Sequence, residues 1–200
     1  MAVKRLPSEE RKKTILEATL KILQNKGYSS LTIRNISLEI GISEAAIYKH
    51  FEDKEDILNQ LAAWIFDEND ITIDQIQEKD ELKTLEHILK RKFSTLEDNP
   101  AFTAVLFQDE LFREYESVKN QFDEHRKKNE KSLMKIVQKG IEDGTIPREV
   151  DLEIFSELYM GAIRMTVLKW RYSDFSFKLT NRADAIIENL FKILKKEGDR

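Results

Sequence analysis

Between Leu31 and Phe51 the chain reads LTIRNISLEIGISEAAIYKHF, two short apolar-periodic runs joined by a glycine. Ile33, Ile36 and Ile40 recur at helical spacing behind Thr32, whose hydroxyl can cap the first amides of a helix. Gly41 supplies the left-handed backbone that ends such a helix and turns the chain, and Ser43 can cap the next one. Glu44 to His50 then provide about two helical turns before Phe51. Helix, tight glycine turn and short second helix make a helix-turn-helix. The unit is too small to stand alone, so Ile36, Ile40, Ile42, Ile47 and Phe51 must find further helices to pack on.

Those helices flank it in the sequence. Ser8-Glu9-Glu10 places a cap and acids at a helix start, and Gly27 ends that helix. Its apolar stripe is Ile15, Ala18, Ile22 and Leu23. After the helix-turn-helix, Asp53 is expected to cap a fourth helix running to about Asn69, with Ile57, Leu58, Leu61, Ala62, Ile65 and Phe66 on one stripe. Met1–Pro7, with Lys4 and Arg5, reads as a basic arm, either unstructured or touching phosphates.

Charge divides along the chain. The net value is −4, but residues 1–51 hold nine Lys/Arg against five Asp/Glu, a balance of +4, and the remainder carries −8. A positive head on an acidic body is what attraction to phosphate requires. With no cysteine, disulfides and thiolate metal sites are excluded. No apolar run of membrane-spanning length exists, and the first ten residues are too polar for a signal peptide, so a cytoplasmic protein without membrane association is expected.

Helix starts attract anions, so Thr32 can aim its hydroxyl and the first amides at a phosphate, with Arg34 one turn in to reach backbone or base edge. Ser43 opens the second helix. Glu44, Ala45 and Ala46 then stand nearest the bases: alanine methyls suit thymine methyls, and Glu44 either accepts from cytosine N4 or stabilises its own helix start. Tyr48 and His50 offer hydrogen bonds to phosphates, and Lys49 reaches a phosphate or a guanine edge. Tyr48 and Phe51 could equally be core aromatics.

Thr32-x-Arg34-x-x-Ser37-x-x-x-Gly41-Ile42-Ser43, followed by Ile47-Tyr48-x-His50-Phe51-x-x-Lys54-Glu55-x-Ile57-Leu58, resembles the signature of TetR-type transcriptional regulators. Ile15-Leu16-x-Ala18 and Gly27-Tyr28 match as well, so the close resemblance spans about residues 10–60. It implies that Tyr48 contacts phosphate while Phe51 is core, that Lys54 anchors a phosphate, and that the helix after Asp53 is the lever a ligand displaces. Many relatives have a small or polar residue, often Thr, where Ala46 stands; that departure bears on the operator sequence. The segment with Gly161, Trp170 and Phe175-x-Phe177 resembles family members that sense acyl chains.

The rest of the chain reads as helices. Leu82, Leu85, Ile88, Leu89, Lys92, Phe93 and Leu96 mark one, and Phe102 to Phe112 a shorter one. A long helix over 113–140 has polar His125 and Asn129 interrupting its stripe between Phe122 and Leu133. The helix from Asp151 to about Tyr172 is apolar over most of its circumference and must be covered on two sides. With the last helix, about Thr180–Lys195, it is expected to form a dimeric four-helix bundle through Leu158, Met165, Ile187, Leu190, Phe191 and Leu194. A homodimer also suits DNA reading, since two recognition helices about one turn of duplex apart fit a palindromic double-stranded operator.

A small-molecule effector site is expected among Phe93, Phe102, Phe107, Phe122, Phe155 and Tyr159, each of which could instead be ordinary core. His125 and Asn129 could bind a ligand or lie at a wet end of the bundle. Arg164, the one charge between Glu157 and Lys169, would if buried need an anion, either a ligand's acidic group or an acid of the chain or its dimer mate. His50, His87 and His125 are far apart in sequence, and no HExxH, GxGxxG, GK[ST] or GxSxG motif occurs. No catalytic residue, metal or cofactor is therefore expected. The expectation is an all-α protein of about nine helices: a DNA-binding domain over 1–53, a connector helix over 54–69, and a helical effector-binding and dimerisation domain over 70–200. Its function would be that of a dimeric, ligand-responsive regulator, a repressor released by a small hydrophobic, acidic effector. The alternative is a helical adaptor or architectural protein without an effector.

Overall fold

The computed structural model describes residues 7–69, 76, 78, 80–107 and 114–194; the basic arm of residues 1–6 lies outside them. Among the described residues there are nine α-helices and no strand. They are α1 (Ser8–Lys26), α2 (Ile33–Ile40), α3 (Glu44–Ile47), α4 (Lys54–Asn69), α5 (Glu81–Asp98), α6 (Thr103–Leu106), α7 (Glu116–Asp143), α8 (Leu152–Tyr172) and α9 (Thr180–Leu194). Single 3₁₀ turns stand at Tyr28–Ser30 and Pro100–Phe102. The chain is all-α, as its periodicity indicates.

Two compact units form. Among the described residues the first joins 7–68 with 99–107 and 114–124, and the second joins 69, 76, 78 and 80–98 with 125–194. The described residues of 99–124, which the sequence reading gives to the body, thus pack with the first helices. The reason is aromatic packing: the Phe102 ring meets Trp64 of α4 edge-on at 5.5 Å, and Phe122 meets Phe66 at 4.7 Å. α1 packs on α2 and on α6, giving this unit a core of Ile15, Ile22, Ile36, Ile47, Ile57, Leu61 and Ile65. Each such side chain contributes roughly 1.5–3 kcal/mol when fully removed from water.

In the second unit α9 lies along α5 and touches α8. Ala183, Ile187, Leu190 and Phe191 recur at helical spacing and are buried, as are Leu85, Leu89 and Phe93 of α5. Polar bonds fix the register of the pair. Lys90 bridges Glu86 and Asp184 at 2.6 and 2.7 Å, and the Thr180 amide donates to Glu97 at 3.2 Å. Asp151 caps α8 by accepting from the amides of Glu153 and Ile154, both at 3.0 Å. One side of α8, with Phe155, Tyr159, Val167 and Trp170, is buried. The other is not: Ile154, Leu158 and Met165 stand 50 %, 42 % and 54 % exposed.

Candidate nucleic-acid interface

The reading head is built by caps. Thr32 Oγ1 accepts from the Asn35 amide at 3.0 Å, and Ser43 Oγ accepts from the Ala46 amide at 3.2 Å. Accepting uses lone pairs only, so each hydroxyl keeps its O–H for an outside acceptor. Between them Gly41 closes α2 at φ 69° and ψ 35°. The sequence reading caps α1 with Ser8, yet Ser8 is the first helical residue and its Oγ lies 3.3 Å from His50 Nδ1. That contact ties the start of α1 to the end of the reading head.

α3 is shorter than the two turns expected. It is one regular turn, after which the His50 and Phe51 amides both bond the Ile47 carbonyl, at 2.9 and 3.1 Å. Ile47 and Phe51 are buried, whereas Glu44, Ala45, Tyr48 and Lys49 are exposed. At 100° per residue Glu44, Ala45 and the C-cap Tyr48 lie away from Ile47, and Lys49 follows in the turn after α3. Thr32, Arg34 and Ser43 are exposed at the two helix starts, and Ala46, His50 and Lys54 are partly covered. Leu38, exposed at 68 %, is absent from the sequence reading. Its position on α2 opposite Ile36 could have flagged it. Lys21 pairs with Glu39 at 2.5 Å and so braces α1 against α2.

Lys54, expected to hold a phosphate, meets an acid of its own chain. Its Nζ lies 3.2 Å from Glu114 Oε1 and 3.5 Å from Tyr28 Oη. The Tyr115 hydroxyl donates to the same Glu114 oxygen at 2.6 Å, and the Tyr28 hydroxyl donates to the other. The rings of Tyr28 and Tyr115 flank the ammonium, with centroids 5.1 and 5.4 Å away. These hydrogen bonds, from Tyr115 first and then Tyr28 and Lys54, hold the Glu114 carboxyl down at about 2. Burial, then the bond to Glu114, pushes the Tyr28 phenol up. Partial burial opposes the charge of Lys54, but its Tyr115 and Glu114 partners outweigh that and raise it. Sequence alone does not place Glu114 here, because the pairing spans sixty residues.

The expected effector residues separate. Phe102, Phe107 and Phe122 belong to the first unit, and Phe93, His125, Asn129, Phe155, Tyr159 and Arg164 to the second. Asn129 and Tyr159 do share a cavity of about 30 Å³, walled also by Leu85, Ile88, Lys92, Leu133, Ile136 and Met160. Lys92 Nζ donates to Asn129 Oδ1 at 3.3 Å, and the buried Tyr159 hydroxyl donates to the Leu85 carbonyl at 3.5 Å. Phe155 packs on Tyr159 and Phe191 at 6.2 and 5.4 Å, and Phe93 is fully buried. The His125 carbonyl accepts from Asn129 Nδ2 at 3.1 Å. Arg164 is exposed, on the uncovered side of α8 with Met165, so the condition under which it would need a buried anion is not met.

The dimer residues also divide. Leu158 and Met165 are on the uncovered side of α8, but Ile187, Leu190 and Phe191 are buried within the chain, where α9 packs on α5. The physical reason is that α9 has one apolar stripe, and α5, with Phe155 of α8 against Phe191, takes it. The side chain of Leu194 lies outside the described residues. A groove of about 440 Å³ does run between α8 and α9, lined by Ala162, Thr166, Ala185, Ile186 and Asn189 among others. Among the described residues no group of His, Asp and Glu could hold a metal, and no helix is long and apolar enough to cross a membrane.

Comparison with known proteins covers nearly the whole chain. The family model for bacterial regulatory proteins of the tetR family matches residues 15–61, and that for the C-terminal region of YsiA-like proteins matches residues 58–193. The nucleoid occlusion factor SlmA of Vibrio cholerae is 27 % identical over 179 residues, 87 % of this chain and 90 % of that protein. FadR of Bacillus subtilis, solved with stearoyl-CoA, superposes with a TM-score of 0.74 at 21 % identity, covering 90 % of this chain and 97 % of that one. PfmR of Thermus thermophilus, a TetR family transcriptional regulator, gives 0.79 at 22 % identity over 91 % and 99 %.

Proposed function

The chain belongs to the TetR family of bacterial regulatory proteins, and from that premise we propose that it is a dimeric, ligand-responsive transcriptional repressor acting in the cytoplasm. The observation that carries the DNA part is the exposed face of Glu44, Ala45, Tyr48 and Lys49 on a capped helix-turn-helix whose first 51 residues carry a balance of +4. Tyr48, Lys49, Thr32 and Arg34 bind phosphates and edges of a palindromic duplex, and Glu44, Ala45 and Ala46 meet the bases. Pairing through the uncovered side of α8, with Leu158 and Met165 at its centre, sets the spacing of two heads. No enzymatic role is proposed.

The effector is proposed to enter the second unit at the cavity of Asn129, Tyr159 and Lys92. The solved relative with stearoyl-CoA supports a long acyl chain with an acidic head group. At about 30 Å³ the cavity holds a water or two, whereas sites for such ligands measure roughly 300–1,000 Å³. Binding must therefore open the second unit, and the movement passes into α4 and changes the spacing of the heads. Ligand and DNA then oppose each other reciprocally.

The likeness to a nucleoid occlusion factor favours a second reading, a DNA-bound architectural protein with no small-molecule effector. One titration separates the two. A labelled duplex carrying the sequence upstream of the protein's own gene is bound, and stearoyl-CoA is added. Release of the duplex supports the repressor. Sequence-selective binding that stearoyl-CoA and the small molecules co-purified with the chain leave unchanged supports the second reading. Binding with no sequence preference, or none at low salt, overturns both.

A further inference from the structure

We propose that Tyr28, Lys54 and Tyr115 form an anion cradle that Glu114 fills in the DNA-free protein and a duplex phosphate fills in the complex, with Glu114 acting as the chain's own competitor for DNA. The inference rests on the DNA reading above and adds to it a residue whose presence weakens binding.

Three donors converge on one carboxylate. Lys54 Nζ stands 3.2 Å and the Tyr115 hydroxyl 2.6 Å from Glu114 Oε1, and the Tyr28 hydroxyl donates to Oε2. A backbone phosphate offers the same pair of anionic oxygens to the same donors. The two tyrosine rings wall the ammonium, with centroids 5.1 and 5.4 Å away. Lys54 is the first residue of α4, three positions after Phe51 closes the reading head, so the cradle opens beside the part of the chain that meets DNA.

Glu114 is placed to exchange. Its side chain is 45 % exposed, so on leaving the cradle it passes into water. It cannot go far, because the Ser117 hydroxyl donates to Glu55 and accepts from Asn59 Nδ2 at 2.9 Å, pinning the start of α7 to α4. A tethered carboxylate competes at high effective concentration. Duplex binding must expel it, and its charge then stands near the incoming phosphate.

The test is duplex binding by the full-length protein, followed by fluorescence anisotropy from about 50 to about 200 mM salt. Glu114→Gln is expected to bind about tenfold tighter at the low end. The slope of log affinity against log salt should change by much less than the roughly 0.9 of a whole phosphate contact, because the same phosphate fills the cradle in both complexes. Glu116→Gln removes an equal charge from an exposed residue two positions on, at the start of α7, and is expected to gain much less. Adding Lys54→Gln to Glu114→Gln should cancel the gain. Equal affinities for Glu114→Gln and Glu116→Gln, or weaker binding by Glu114→Gln, overturn the inference while leaving the DNA reading intact. If none of the folded proteins binds the duplex, the DNA reading fails and the cradle's role with it.

Discussion

Gly41 donates its backbone N–H to the Ser37 carbonyl while standing in the left-handed region, at φ 69° and ψ 35°. The Ile42 amide bonds the same carbonyl at 3.0 Å, so the end of α2 and the turn into α3 depend on one residue's conformation. A Cβ on Gly41 would meet nothing within 4 Å, so the strain of replacing it is confined to the backbone. Gly41→Ala is expected to lower stability by about 1–2 kcal/mol, read as a lower urea midpoint with an unchanged slope.

The reading head is legible in the sequence because its determinants are local. Thr32 and Ser43 cap the helices they precede, Gly41 turns between them, and Asp53 accepts from the Asp56 amide at 2.8 Å, all within four residues of their partners. Periodicity likewise separates Ile36 and Ile47 from the exposed face. What stays hidden depends on which of two apolar sides a neighbour takes. The composition of α8 announces two covered sides but not that α5 would claim the stripe of Ile187, Leu190 and Phe191. The partners of Lys54 and the grouping of 99–124 with the first unit are set by contacts remote in sequence, to which no local pattern points.

Lys49 is exposed in the turn just after α3, two positions beyond the buried Ile47. Lys49→Ala is therefore expected to leave the melting temperature unchanged and to weaken duplex binding about tenfold, with a salt slope shallower by about 0.9. Lys135→Ala, an exposed lysine of α7 remote in sequence from the reading head, should change affinity less than about twofold in the same assay.

Leu158 and Ile187 give opposite outcomes when made acidic. Leu158 is 42 % exposed in the single chain, so Leu158→Glu should leave each subunit folded and split the dimer, read as halved mass in sedimentation equilibrium. Ile187 is 6 % exposed, so Ile187→Glu buries an unpaired charge and should lower the melting temperature sharply. A mass unchanged in Leu158→Glu would remove α8 as the pairing surface.

Glu114 also makes stability depend on pH, with a sign that follows from its partners. Hydrogen bonds from Tyr115, Tyr28 and Lys54 lower its folded-state value from the ordinary 4.5 to about 2. A carboxyl held down in the folded state adds stability that is fully present above its unfolded value and disappears as pH falls through the folded one. The stability difference between the wild type and Glu114→Gln should thus be constant above about pH 5 and close between pH 4.5 and about 2. Glu86 is held at about 2 as well, by Lys90 and then Lys83, but it is common to both proteins and cancels in the difference. The exposure of Glu114 means that water screens the cradle, so the gap at neutral pH is small and is best read from paired urea midpoints. A gap that instead widens on acidification would mean that Glu114 is repelled rather than held where it sits, and the three donors would then have no claim on an anion.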